Sequence, residues 1–362
     1  MFDWIPLQSY SNLYNYILLL ILIIIMFSAF AYDVRDEKNL AVINVIGWVF
    51  TIIIILYIGL RPIDGVFVDM KTYAKAYYRL QSGAAVRIDK DIVFNYFMKW
   101  CSTWMSASSF FFVLANLYII PCIIFSKKYF GQYWFFGVFV FVSSFTFWNY
   151  GVNGMRNGTA AAFFILGCCF YERKLLMLPI FFLAYFIHAS LIIPIAAFIV
   201  ASLYKNPKVY VYIWLISIPL SLLGGSAWLS FFTNIGIVEN RLDGYLVDNE
   251  QYMHKFSKTG FRWDFLIYSS TAVFAGWYFI FKKKIVDTFY VHIFGVYCIA
   301  NAFWILVITA AFSNRFAYPS WILMPIIISY PMFRYKIWKD QYKIFAIILL
   351  AYFMFTFVMN IK

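Results

Sequence analysis

Apolar runs of about 20 residues, recurring along the whole chain, restrict the fold more than any other feature, because each matches a bilayer core of roughly 30 Å. They fall near 13–32, 39–60, 108–126, 132–149, 157–171, 175–187, 189–203, 209–224, 265–281, 288–311, 317–333 and 344–360. Lipid cannot satisfy an open strand edge, so the runs are expected to be helices. The expected fold class is all-α: a polytopic membrane protein with about 12 transmembrane helices, forming a single integral membrane domain over residues 1–362. Charged residues make up 12% of the chain, half the share in ordinary soluble domains, which leaves little for a water-soluble domain. The first run ends in Ala29-Phe30-Ala31 but is preceded by Asp3 and by no Lys or Arg, so it reads as a retained helix rather than a signal peptide.

The net charge of +13 would suggest nucleic acid in a soluble protein, but here it must be divided between two sides of a membrane, and no nucleic acid partner is expected. Asp33 to Lys38, Lys127-Lys128, Glu172-Arg173-Lys174, Lys205 to Lys208, Lys282-Lys283-Lys284 and Arg334 to Lys343 form the short charged joints, which the positive-inside rule assigns to the cytoplasm. Keeping them on one side requires 175–203 to be two short helices with His188 at the outward tip, since one helix of that length would reach roughly 44 Å. The termini then lie outside, as do two external loops at 61–107 and 225–264. By this topology twelve lysines but only Arg35, Arg173 and Arg334 among ten arginines are inside. The outward arginines suit an anionic ligand, because a guanidinium grips phosphate through a planar fork.

Three short outer joints each carry one base among apolar flanks. Arg156 is the only charge in the turn from Asn149 to Gly158; glycines there would admit a ligand close to the backbone, and the next helix would direct its positive end at an anion. The plainer reading is a turn with a snorkelling arginine. His188 lies in Phe186-Ile187-His188-Ala189-Ser190 and reads as a general base or as a hydrogen-bond donor to a leaving phosphate, or as a structural histidine bonded to a carbonyl. Arg315 lies in Ser313-Asn314-Arg315-Phe316-Ala317-Tyr318. In the first external loop Arg61 closes the second helix, and Asp69 to Leu80 reads as a helix with Tyr73 and Tyr77 on one face and Asp69 either functional or an N-cap. In the second, Glu239, Arg241, Asp243, Asp248, Glu250, His254, Lys255 and Lys258 read as a solvated lid, with Arg262 nearest the membrane. His292 reads as structural. Cys122, Cys168, Cys169 and Cys298 sit in apolar runs and Cys101 in a polar loop, a pattern of small hydrophobes with neither disulfide framework nor metal site. P-loop, GxGxxG, HExxH and GxSxG motifs are absent from the sequence, and no cofactor or metal is expected.

The order of these marks resembles the EpsG family of Wzy-type polysaccharide polymerases: Arg61 after the second helix, Asp69-x3-Tyr73, Gly154-Met155-Arg156-Asn157 at a helix head, Glu172-Arg173-Lys174, Phe186-x-His188-x-Ser190 and Asn314-Arg315-x-x-Tyr318. The family's Arg-Gln is Arg156-Asn157 here, and its Gly-x-Asp is Val66-Phe67-Val68-Asp69 with the glycine at Gly65. The resemblance implies a metal-independent glycosyltransferase of GT-C-like architecture in the bacterial inner membrane, its active site facing the periplasm or exterior. It would transfer a growing glycan from undecaprenyl diphosphate to the non-reducing end of a lipid-linked repeat unit. Its implied partners are that undecaprenyl-diphosphate-linked oligosaccharide and a chain-length regulator and flippase of the same pathway. On this reading His188, Asp69, Arg156 and Arg315 are catalytic, Arg156, Arg315, Arg61 and Arg262 bind the diphosphate, and Tyr73, Tyr77, Arg79 and Tyr318 bind substrate. An O-antigen ligase or other polyprenyl-phosphate-dependent GT-C glycosyltransferase would use a similar donor. A membrane O-acyltransferase would leave the outer arginines without a role, and an exporter would carry charges along a transmembrane path.

Overall fold

The computed structural model describes residues 2–88, 91–234, 260–310 and 313–361, and every regular element among them is helical. Among the described residues eight helical runs are long and apolar enough to cross a membrane: Leu7–Ala31, Glu37–Gly59, Ala107–Val142 (which turns back at Gly131), Pro207–Gly224, Trp263–Lys282, Thr288–Leu306, Asn314–Arg334 and Gln341–Asn360. The described residues are therefore all-helical, and the long apolar helices make this a multi-pass membrane protein. Of the remaining expected runs, 157–171, 175–187 and 189–203 form helices of 14, 14 and 12 residues, and 108–126 and most of 132–149 fall within Ala107–Val142. The run at 132–149 divides at Ser143-Ser144 into α6 (Trp134–Val142) and α7 (Phe145–Val152), and α8 (Met155–Cys168) begins after Gly154. At 14 residues, α8 is only about 21 Å long. The segment at 175–203 divides at His188, as expected, into α9 (Lys174–Ile187) and α10 (Ile192–Leu203).

The described chain forms two compact units, Met1–Ile192 with Ser329–Lys362, and Ile193–Ile328. In the first, α1 (Tyr10–Ala31) packs on α17 (Gln341–Asn360), and α2 (Glu37–Gly59) on α5 (Ala107–Phe130). Asp36 caps α2 by accepting from the amides of Lys38 and Asn39, and Ser106 caps α5 through the amide of Ser109. Gly131, at φ 56°, reverses the chain after α5, so that Phe141 returns to 5.8 Å from Phe125. Much of the aromatic surplus is spent on such contacts. Tyr10 and Tyr57 stack at 4.3 Å and each donates to the other's carbonyl, at 2.9 and 2.7 Å. Tyr14 reaches the carbonyl of Val142 at 2.8 Å. Charged joints gather at one end: Lys128 donates to the Cys169 carbonyl, Tyr133 lies 5.3 Å from Tyr342, and Tyr32 to Arg35 share a cavity of about 250 Å³ with Lys339 to Lys343.

The segment 61–107, expected to be an external loop, is largely helical among its described residues. It contains α3 (Asp69–Gln81) and α4 (Ile92–Ser102), clamped by Lys99, which donates to the Leu80 carbonyl at 2.8 Å. Cys101, expected in a polar loop, is buried in α4, because that helix turns an apolar face with Phe94 and Met98 inward.

The second unit contains α11 (Pro207–Gly224), α12 (Ser226–Asn234), α13 (Trp263–Trp277), α14 (Thr288–Leu306) and α15 (Asn314–Trp321); α16 (Met324–Arg334) runs from it into the first. The loop charges from Glu239 to Lys258 lie outside the described residues. Fully buried Asn301 ties four helices together. It accepts from the Trp214 indole at 2.7 Å and donates to Ser269 and Ser320 at 3.2 and 3.0 Å, while Trp321 donates to Ser269 at 2.6 Å. His292, read as structural, approaches the Phe198 carbonyl at 2.9 Å. Asn301→Leu should lower the melting temperature of the detergent-solubilised protein, with a loss of about 1–2 kcal/mol; an unchanged value would mean that the network adds nothing to stability.

Candidate active site

The turn after α7 and the break after α9 meet at the end of the first unit opposite its charged joints. Arg156 stands in the first turn of α8, where the open backbone amides of a helix start favour negative charge. Its Nη1 forms an ion pair with Asp91 Oδ2 at 2.7 Å, and the two side chains are 16% and 0% exposed. Arg156 Nε is buried without a hydrogen-bond partner, as are Asn153 Oδ1 and Thr159 Oγ1 on either side. Buried polar atoms are mostly hydrogen-bonded in proteins; three of the exceptions among the described residues fall between Asn153 and Thr159.

His188 ends α9 in an extended conformation, φ −155° and ψ 122°, and its Nδ1 accepts from the amide of Ser190 at 3.2 Å, capping the short helical turn Ala189–Leu191. An acceptor nitrogen carries no proton of its own, so this bond matches the neutral tautomer protonated on Nε2. The Ser190 hydroxyl lies 2.8 Å from Nδ1 and 3.1 Å from Asn157 Oδ1, which joins the His188 turn to the helix bearing Arg156. Asp91 makes a second link, accepting from the amide of Ala189 at 3.4 Å.

Arg61 is 3% exposed and sits beneath this cluster. Its guanidinium donates to the carbonyls of Ile58 and Val152, the latter at 3.0 Å, contacts Met155 Sδ at 3.0 Å and lies 5.7 Å from the Phe67 ring. It therefore fastens the turn that carries Arg156. Gly158 serves packing rather than ligand approach: a Cβ there would stand 2.5 Å from the Tyr150 carbonyl oxygen.

Asp69 is the first residue of α3, half-buried, with Val68 in the capping position at φ 21°, a strained value for a β-branched residue. Asp69 forms no hydrogen bond or ion pair with Arg156, His188 or Asp91 among the described contacts. Tyr73 meets Phe94 edge-on at 5.8 Å, and Phe94 in turn lies 6.0 Å from the Arg156 guanidinium. Tyr77 is fully buried and donates to the carbonyls of Cys101 and Met105 at 3.0 and 2.7 Å; burial raises its phenol to about 12. Its hydroxyl joins α3 to α4. Arg79 is exposed in the last turn of α3.

Arg262, Arg315 and Tyr318 belong to the second unit. Arg262 spends its fork on Asp264, with Nε and Nη2 at 2.9 and 2.6 Å from the two carboxylate oxygens, and stacks 3.8 Å from the Phe265 ring. Arg315 is exposed at the start of α15, and buried Tyr318 accepts from Asn314 at 2.8 Å.

The EpsG family model matches residues 44–362 of the chain. No curated protein and no solved structure matches it.

The cap at His188 yields a test independent of chemistry. His188→Ala removes the acceptor for the Ser190 amide and should cost about 1 kcal/mol, whereas His188→Asn replaces Nδ1 with an amide oxygen and should restore the melting temperature. Equal melting temperatures for the two variants would show that the bond contributes nothing.

Proposed function

The chain belongs to the EpsG family, which makes it a membrane polysaccharide polymerase of the glycosyltransferase kind, and we propose that it transfers a growing glycan from undecaprenyl diphosphate to the non-reducing end of a lipid-linked repeat unit. The observation that carries this reading is the head of α8, where Arg156 keeps a buried, unpartnered Nε–H beside an open helix start.

When the bond between the anomeric carbon and the diphosphate breaks, negative charge builds on the leaving phosphate. Fixed guanidinium and amide donors in a site of low dielectric stabilise that charge without reorganising. Arg156 is the donor placed for this, with the positive end of α8 acting in the same sense. Arg61 supports it by holding the Val152 carbonyl and Met155. His188, protonated on Nε2 when neutral, is suited to donate a hydrogen bond to the leaving phosphate. Asp69 is then the group left to accept the proton of the attacking sugar hydroxyl. Tyr73 on its Phe94 support and Arg79 at the exposed end of α3 would contact the glycan. Tyr77 would act only by joining α3 to α4. Arg315 and Tyr318 are taken to bind substrate within the second unit, and Arg262 only after exchanging Asp264 for substrate.

We place this end of the protein on the outer face of a bacterial inner membrane, because the lysine-rich joints of the first unit gather at the opposite end. A GT-C-like architecture of about 12 spans and a metal-independent mechanism complete the proposal, with a flippase and a chain-length regulator as partners in the pathway. Purified protein supplied with the lipid-linked repeat unit alone should make a ladder of polymer, whereas a ligase would make none without a separate acceptor. Arg156→Lys should remove long chains while the protein stays in the membrane, since lysine keeps the charge and loses the fork. Wild-type chain lengths from that variant would contradict the assignment. His188→Gln with activity near wild type would exclude general-base catalysis at that residue.

A further inference from the structure

Asp91 is a shielded carboxylate that does no work in its own helix. It precedes α4 in the position from which aspartate ordinarily caps, but φ 51° and ψ 45° turn it away, and it makes no side-chain bond to that helix. Aspartate tolerates the left-handed region better than most residues, and here tertiary contacts hold it there. One carboxylate oxygen meets Arg156 Nη1 at 2.7 Å and the other accepts from the Ala189 amide at 3.4 Å. A single side chain, 0% exposed, thus reaches both segments of the candidate site.

The consequence for Arg156 is directional. A free arginine turns about several torsions and must be ordered as charge develops on its ligand. Anchored through Nη1, Arg156 keeps its Nε–H edge in one orientation, and that edge is the one left without a partner. The same carboxylate holds the Ala189 amide, so the His188 turn is fixed relative to the guanidinium. The geometry points to Asp91 as a positioning residue of the transfer reaction, which aims Arg156 at the leaving diphosphate and keeps His188 beside it. This rests on the polymerase reading. The opposite role, a stand-in anion that substrate displaces, conflicts with a side chain wholly withdrawn from solvent.

The test compares Asp91→Asn, which keeps an acceptor for the Ala189 amide and deletes the charge facing Arg156, with Asp91→Glu, which keeps the charge. In nanodiscs with the lipid-linked repeat unit, Asp91→Asn should lower kcat by about tenfold or more, the scale of a misplaced catalytic group, with the donor KM nearly unchanged, and Asp91→Glu should recover part of that loss. An unchanged kcat, or a lower donor KM with kcat intact as expected of a displaced stand-in, would overturn the proposal. Hydrogen exchange gives a readout that does not depend on the reaction: in Asp91→Ala the Ala189 amide should exchange about tenfold faster, as a lost hydrogen bond predicts, and unchanged exchange would also overturn it. Wild-type protein that makes no polymer would defeat the polymerase reading and leave the positioning role to the exchange result. Should Asp91→Asn fail to accumulate, adding Arg156→Gln should restore the protein by removing the uncompensated charge; failure to restore it would overturn the pairing.

Discussion

Hydrocarbon offers no hydrogen bonds, so each polar group in this protein must find a partner within the chain or lie where the membrane ends. Where the chain stays regular, its backbone is self-satisfied and its side chains are free to be apolar. Where it breaks, at Ser143-Ser144, at Gly154 and at His188, polar atoms are released, and other parts of the protein converge on them. The Val152 carbonyl is taken by Arg61, the Ala189 amide by Asp91 and the Ser190 amide by His188. These breaks are thus the places where chemistry becomes possible.

The arginines divide by what surrounds them. Arg61, 3% exposed, lies on carbonyls with its Nε also unpartnered, Arg262 has its fork filled by Asp264, and Arg156, 16% exposed, has one edge on Asp91 and its Nε unsatisfied. A fully paired guanidinium gains little from a ligand, and a fully solvated one must be ordered first. The intermediate condition is the one in which an arriving phosphate gains a preformed donor, and Arg156 is in that condition at the start of a helix.

Arg156 and His188 stand out in the sequence because each is a lone base among apolar residues, and the division of 175–203 follows from length and charge parity. Asp91 is invisible by those criteria. It closes the run Arg87-Ile88-Asp89-Lys90-Asp91, which reads as a solvated loop, and its amide partner lies 98 residues away; the only local sign is an acid directly before the apolar stretch Ile92-Val93-Phe94. Tyr77 shows the opposite failure. Its spacing from Tyr73 identifies the helix, but periodicity does not say which face the neighbouring α4 will cover. The expected runs at 157–171, 175–187 and 189–203 form helices shorter than the eight long ones among the described residues, because hydropathy marks an apolar run but not where its helix begins and ends.

On this proposal the head of α8 receives the donor's diphosphate. A structure of the protein with undecaprenyl diphosphate bound tests it most directly. A phosphate oxygen is expected within about 3 Å of Arg156 Nε or Nη2, the range of a charge-assisted hydrogen bond, with Asp91 still on Nη1. A diphosphate bound elsewhere, with Arg156 Nε unchanged, would contradict it.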